Sequence, residues 1–250
     1  MTDSNPDDKV TSILLDIEGT TTPIDFVYKT LFPYARTHMA GFITTSISSG
    51  QLSEDLSGLL TEHAADVSAG HRPPPIPDDW QTHPDSIVEY SLWLMDQDRK
   101  STPLKSIQGK IWQAGYNSGE LKSEVFPDVP PALDRWTRQG REISIYSSGS
   151  VLAQKLLFAN THAGDLTHFV TGYFDTNVGP KKESASYRQI AAGLGKSPVQ
   201  ILFLSDVVDE LQAAKLAGLQ TLLCIRPGNN PQADADRYMA VASFDGVFAD

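Results

Sequence analysis

From residue 129 onward the chain alternates short apolar runs with stretches whose apolar residues recur at helical spacing. Ile143-Ser144-Ile145-Tyr146, Phe169-Val170, Ile201-Leu202-Phe203-Leu204 and Thr221-Leu222-Leu223-Cys224-Ile225 read as short strands. Residues 151–159, 183–194 and 208–217 read as the helices between them. Such alternation predicts a parallel sheet with helices on both faces. Val247-Phe248 is a candidate for a last strand. A further strand stands far upstream, where Val10 to Ile17 carries the run Ile13-Leu14-Leu15 and Gly19-Thr20-Thr21-Thr22-Pro23 breaks it. Asp16 therefore falls at that strand's carboxyl end.

The stretch from Phe26 to about Glu124 has a different rhythm. It holds no strong strand pattern, while Leu104, Ile107 and Ile111 repeat as on one helix face, as do Ile87, Tyr90 and Leu94 with Leu92 and Met95 beside them. Thr102 followed by Pro103 is a natural helix start, because Thr caps and proline in the first turn lacks only an N–H that would be unpaired anyway. Arg72-Pro73-Pro74-Pro75-Ile76-Pro77 fits neither helix nor central strand and reads as an extended surface loop. A crossover between parallel strands needs only about a dozen residues, yet 126 lie between Asp16 and Ile143. The expected fold is thus α/β: a doubly wound parallel sheet formed by residues 10–25 and 126–250, with a helical cap domain, 26–125, inserted after the first strand. The first nine residues are polar and acidic and are expected to fray.

Composition narrows the partners. Twenty Lys and Arg against 31 Asp and Glu leave a net charge of -11, which repels nucleic acid and anionic lipid, so neither a nucleic-acid nor a membrane partner is expected. No apolar run approaches the roughly 18 residues of a membrane span. The single cysteine, Cys224, rules out an intrachain disulfide, and the amino-terminal residues lack a signal-peptide pattern. The expected compartment is the cytosol, with the nucleus open as well.

The residues following each strand carry the chemistry, because open parallel sheets bind ligands beyond the carboxyl ends of their strands. After the first strand comes Asp16-Ile17-Glu18-Gly19-Thr20, and after the second Ser147-Ser148-Gly149-Ser150. Gly179-Pro180-Lys181-Lys182 precedes a helix, and Ser205-Asp206 with Asp209-Glu210 follows a later strand. An Asp carboxylate attacks phosphorus when a cation screens its charge, and Asp16 and Asp206 supply oxygen ligands of the kind Mg2+ prefers. Ser147 and Ser148 open a helix, where hydroxyls and free N–H groups stabilise a phosphate. Lys181 is placed to screen nucleophile and transferring group together. Glu18, two residues past Asp16, is placed to protonate a leaving oxygen and then deprotonate a water.

Taken singly, each segment has a plainer reading: a strand-to-turn junction, a helix start, a surface lysine, and an acidic pair complementing a helix amino end. Their order at successive strand ends favours the joint one. Other matches fail. Gly195-Lys196-Ser197 lacks the earlier glycine of a phosphate-binding P-loop, since Ile190 stands there. The serines at 147–150 lack a nucleophile-elbow pattern, the six histidines show no ligand spacing, and Cys224 reads as a buried hydrophobe.

The ordered set resembles the haloacid dehalogenase superfamily, with its aspartate nucleophile, Ser/Thr, lysine and acidic motifs. Within it, Asp16 to Ile24, Leu31-Phe32-Pro33-Tyr34-Ala35, Gln108-Gly109-Lys110-Ile111-Trp112, Gly115-Tyr116, Gly119 to Lys122, Tyr146 to Val151, Ala153 to Phe158 and Ile225 to Asn229 resemble the enolase-phosphatase family of methionine salvage. The resemblance spans about residues 12–248 and extends through the inserted segment. It implies enolisation of 2,3-diketo-5-methylthiopentyl-1-phosphate and dephosphorylation to the acireductone, one Mg2+ per monomer, and a cytosolic, monomeric protein. By position it implies Asp16, Glu18 and Asp206 as metal ligands, Asp16, Glu18 and Lys181 as catalytic residues, and Ser147, Ser148 and Lys181 as substrate-binding residues. Lys182 doubles the motif lysine, so which lysine reaches the site rests on alignment. The alternative enzyme is a phosphatase of the same superfamily acting on another small phosphomonoester. A signalling receiver domain also gathers acidic residues, Ser/Thr and Lys at a sheet end, but Lys181 precedes the last acidic motif here and the long insertion is foreign to a receiver.

Overall fold

The computed structural model of the chain describes residues 9–50 and 52–249, so the expected fraying of the first nine residues lies, but for Lys9, outside the described residues. The chain divides into two compact units, one running up to Tyr28 and again from Lys122 onward, the other spanning Lys29–Leu121.

The first unit is built on six parallel strands. In chain order they are β1 (Ser12–Leu15), β2 (Glu142–Tyr146), β3 (Val170–Phe174), β4 (Ile201–Ser205), β5 (Gln220–Cys224) and β6 (Ala240–Val241), and in the sheet they lie as β3-β2-β1-β4-β5-β6. β1 is central, and its four residues are all buried, as a strand covered on both faces requires. The chain winds outward from β1 through β2 and β3, then returns to the other side through β4, so strand order reverses around β1. That reversal is where such sheets open a crevice at their carboxyl edge. Leu15 lies opposite both Ile145 and Leu204, which brings the residues after β1, β2 and β4 to one level.

Helices follow the strands where expected: Val151–Ala159 after β2, Ser184–Gly193 before β4 and Val208–Leu216 after it. The Ser150 hydroxyl caps the first of these by accepting from the Ala153 N–H at 3.3 Å. One face of the sheet is packed by Leu14, Tyr146, Tyr187, Ile190, Phe203 and Leu211. Two strand expectations need correcting. Phe169 ends a 3-10 turn and the strand runs on from Val170 to Phe174. Val247-Phe248 forms no strand: the Val247 carbonyl accepts from the Trp136 indole at 2.8 Å, Phe248 turns to φ +52°, and the sixth strand is Ala240–Val241 instead. The short run was apolar because Val247 is buried, not because it pairs in the sheet.

The second unit is helical, with long helices Phe32–Ser49, Ser53–Ser68, Pro84–Asp96 and Thr102–Ser118. Met39, Ile43, Leu59, Tyr90, Leu94, Ile107 and Ile111 fill its core. The last helix starts as expected, though its capping side chain is Ser101, one residue before Thr102, which accepts from the Leu104 N–H at 3.2 Å. Gly115 is required by packing: a Cβ there would come within 2.6 Å of the Tyr34 ring. The proline-rich segment is an irregular extended loop, held by a 2.9 Å hydrogen bond between His63 Nε2 and the Pro74 carbonyl and by Ile76 packing on the core. No described helix is long and apolar enough to cross a membrane.

Candidate active site

Asp16 is the first residue past β1, and its backbone still belongs to the sheet through a 3.0 Å bond from its N–H to the Leu204 carbonyl. Its side chain is buried. Oδ1 accepts from the Ile17 N–H at 2.7 Å and lies 2.6 Å from Lys181 Nζ, while the Ser205 hydroxyl reaches Oδ2 at 3.2 Å. These donors take the place of the water that burial removes.

Lys181 is placed by its backbone. Tyr146 donates to the Gly179 carbonyl at 2.8 Å, Ser186 to that of Pro180 at 2.7 Å and Tyr187 to that of Lys181 at 2.7 Å, so three successive carbonyls of the loop are pinned from the sheet and the following helix. Gly179 is needed there, at φ +135°. Lys181 Nζ also lies 2.7 Å from Glu210 Oε2, and Ser205 Oγ stands 3.0 Å from the same oxygen. Adjacent residues are sorted in parallel: Lys181 with Glu210 is buried, whereas Lys182 pairs with Asp209 at 2.8 Å on the surface. The geometry thus separates the two lysines that the sequence leaves equivalent.

Asp206 follows β4 and approaches the loop after β1 at Gly19. A Cβ on Gly19 would fall 2.7 Å from the Asp206 carboxyl carbon and 2.9 Å from Asn229 Oδ1, and Gly19 also takes φ +69°. Only glycine admits both. Asn229 and Arg226 hold this turn from the loop after β5. Asn229 Nδ2 donates to the Gly19 carbonyl at 2.9 Å and Arg226 Nε to that of Thr20 at 3.1 Å, with Arg226 stacked between Phe126 and Phe244 and paired with Asp128 at 2.8 Å.

The remaining expected residues follow β1 and β2. Glu18 is partly exposed on the loop beyond Asp16. Ser147 is buried, its Oγ accepting from the Gly149 N–H at 3.2 Å, and Ser148 is exposed. Both follow β2, the strand beside β1.

The cluster carries more negative than positive charge. Burial, followed by the charges of Asp16 and Glu210, pushes the Asp206 carboxyl up to about 7. Burial and then Asp16 raise Glu210 as well. Burial alone would lower the Lys181 ammonium, but the Asp16 and Glu210 carboxylates outweigh it and hold it above its ordinary value.

A buried carboxylate, a lysine and an acidic pair at the switch point of a parallel sheet are joined by a match of residues 10–218 to the haloacid dehalogenase-like hydrolase family. The chain belongs to that family. Among this haloacid dehalogenase-like chain's relatives, Enolase-phosphatase E1 of Synechococcus elongatus is 51% identical over 94% of this chain and 97% of its own. Enolase-phosphatase E1 of Drosophila persimilis is 46% identical over 90% and 89%. A crystal structure of the Unknown transcript 4 protein of Saccharomyces cerevisiae superposes with a TM-score of 0.71 at 34% identity, covering 95% of this chain and 99% of that one.

Membership in this haloacid dehalogenase-like family implies a divalent metal ion. Among the described residues no three His, Cys, Asp or Glu side chains stand gathered as a ready-made cage. The donor chemistry fits nonetheless: Asp16, Asp206 and Glu18 are hard oxygen donors at one strand edge, their charge exceeds what Lys181 offsets, and the buried Asn229 Oδ1 accepts no hydrogen bond from a described residue. Sequence reasoning placed Ser205 and Glu210 beside Asp206 at this strand end but gave neither a role of its own. The signal for Glu210 was its position: four residues past Asp206, on the first turn of a helix whose next-door Asp209 faces solvent.

Proposed function

We propose that this chain is the enolase-phosphatase of methionine salvage, which enolises 2,3-diketo-5-methylthiopentyl-1-phosphate and then removes its phosphate to give the acireductone. Chemistry at phosphorus is common to the wider family, so the strand-end cluster alone leaves the substrate open. The observation that carries the substrate is likeness to named enolase-phosphatases at 51% identity over 94% of the chain, inserted helical unit included.

In this reading Asp16 attacks phosphorus, forming an O–P bond as the P–O bond to the substrate's first carbon breaks. Glu18 gives its proton to the departing oxygen. Glu18 then takes a proton from the water that attacks the aspartyl-phosphate, and the Asp16 O–P bond breaks to release inorganic phosphate. Lys181, held against Asp16 at 2.6 Å, lies beside the charge that builds on the transferring group. Ser147 and Ser148 hold the phosphate at the start of the helix after β2. Asp16, Asp206 and the backbone oxygen of Glu18 would hold one Mg2+, which leaves the Glu18 carboxyl free to carry its proton, and the ion would screen carboxylate and phosphate charge from each other. The protein is read as a cytosolic monomer with a small phosphorylated diketone as its partner.

The test is to supply the phosphorylated diketone and, separately, simple phosphomonoesters, following phosphate release and the ultraviolet absorbance of the enol. Enol absorbance that appears with the diketone, together with strongly preferred phosphate release from it, is the expected result. Equal hydrolysis of several phosphomonoesters with no enol would favour a general phosphatase of the same family.

A further inference from the structure

The loop after β5 does more than tie the turn after β1. Asn229 Nδ2 is committed twice, to the Gly19 carbonyl at 2.9 Å and to the Cys224 carbonyl at 3.2 Å. Those two bonds fix which way the amide faces, since a flipped amide would set an oxygen against two carbonyls. Oδ1 is therefore aimed the other way. It is buried and accepts no hydrogen bond from any described residue. It lies 2.9 Å from the point where a Gly19 Cβ would sit, and the Asp206 carboxyl carbon lies 2.7 Å from the same point. An amide oxygen and a carboxylate thus both lie close against Gly19. Two buried acceptors close together repel unless a donor stands between them, and a buried acceptor left unpaired is costly.

We infer that Asn229 is a further residue of the cation site, its Oδ1 accepting a hydrogen bond from a water of the ion held by Asp206. The inference rests on the divalent-cation reading above. Mg2+ gives up its waters reluctantly, so residues that accept from its hydration shell are part of how a protein holds it. Asn229 suits that task because its donor end is occupied, leaving only the acceptor to face the ion's shell.

The test is calorimetric titration of Mg2+ into the full chain without substrate, paired with thermal unfolding in chelator and in saturating Mg2+. Wild type is expected to bind and to gain in melting temperature. Asn229→Ala should bind about tenfold more weakly and gain less, as loss of an outer-shell partner does. Asn229→Asp keeps an acceptor while losing the donor that ties Gly19. It should therefore melt lower in chelator yet bind Mg2+ at least as tightly as Asn230→Asp, which adds the same charge at an exposed neighbour. Equal weakening in Asn229→Ala and Asn229→Asp would reduce Asn229 to a loop tie and overturn the inference, as would unchanged affinity in Asn229→Ala. Absence of Mg2+ binding by wild type would overturn the cation reading itself, and this inference with it.

Discussion

Both units of the chain bury charged side chains, and they do so in opposite ways. In the helical unit, Asp66 accepts from Tyr90 at 2.8 Å and from Arg99 at 2.8 Å, with Glu62 3.8 Å from the same guanidinium. Asp55 is buried against Lys110. Burial by itself would push Asp66 up, but the hydrogen bonds from Tyr90 and Arg99 outweigh it and hold the carboxyl below its usual value. In the sheet unit, Asp16 and Glu210 share Lys181 at 2.6 and 2.7 Å, and burial together with carboxylate repulsion raises Glu210 and the nearby Asp206. Charge matched partner by partner stabilises a fold, whereas charge left in excess at a strand edge marks a place kept ready for a ligand.

The strongest way to break the comparison is at Asp16, the proposed nucleophile. Asp16→Asn keeps the shape but attacks phosphorus poorly, so phosphate release should fall by more than about 10⁴-fold. Deuterium entry at the phosphate-bearing carbon in heavy water should survive, and intact phosphate release would remove Asp16 from its role. Next comes the lysine pair. Lys181→Ala should lower the rate by about 10²-fold or more, while Lys182→Ala, whose pair with Asp209 is more than half exposed, should stay near wild type in rate and stability. Equal losses would contradict the sorting seen in the structure. In the helical unit, Tyr90→Phe leaves the buried Asp66 short of one donor. Unfolding should become easier by about 1–3 kcal/mol, with kcat kept near wild type. A loss of kcat without a loss of stability would mean that the helical unit's charges are functional too.

The smallest effect sharpens the contrast by its sign. Asp66 titrates below its ordinary 3.8, so its contribution to stability is full above that value and is lost as pH falls further. Asp206 is raised from the same 3.8 to about 7, so its contribution is full below 3.8 and is lost as pH climbs through 7. Hydrogen exchange in chelator should show the helical unit loosening first in acid and the strand-end loops loosening toward neutral pH. Parallel pH profiles in the two units would contradict this assignment.

Much of this was legible in one dimension. Strand and helix identity came from hydrophobic periodicity, which is local, and the insertion came from the distance between Asp16 and Ile143, which no simple crossover needs. Asp16, Lys181 and Asp206 were findable because a parallel sheet gathers whatever follows its strands. Ser101 in place of Thr102 as the cap, and the burial of Val247 without strand pairing, were beyond that reading, because they depend on which backbone groups lie nearby after folding. The choice of Lys181 over Lys182 rested on alignment for the same reason: neighbours in sequence have equal chemistry until Tyr187 and Ser186 pin the loop and turn one inward. Glu210 became part of the site only when a helix turn brought it to Lys181, and Asn229 only when the loop after β5 folded back on Gly19. Sequence by itself determined which chemical groups stand at each strand end, since periodicity is written in neighbouring residues. Tertiary structure decided which of them touch and how far their charges stay unbalanced, since burial and distance between remote segments exist only in the folded chain.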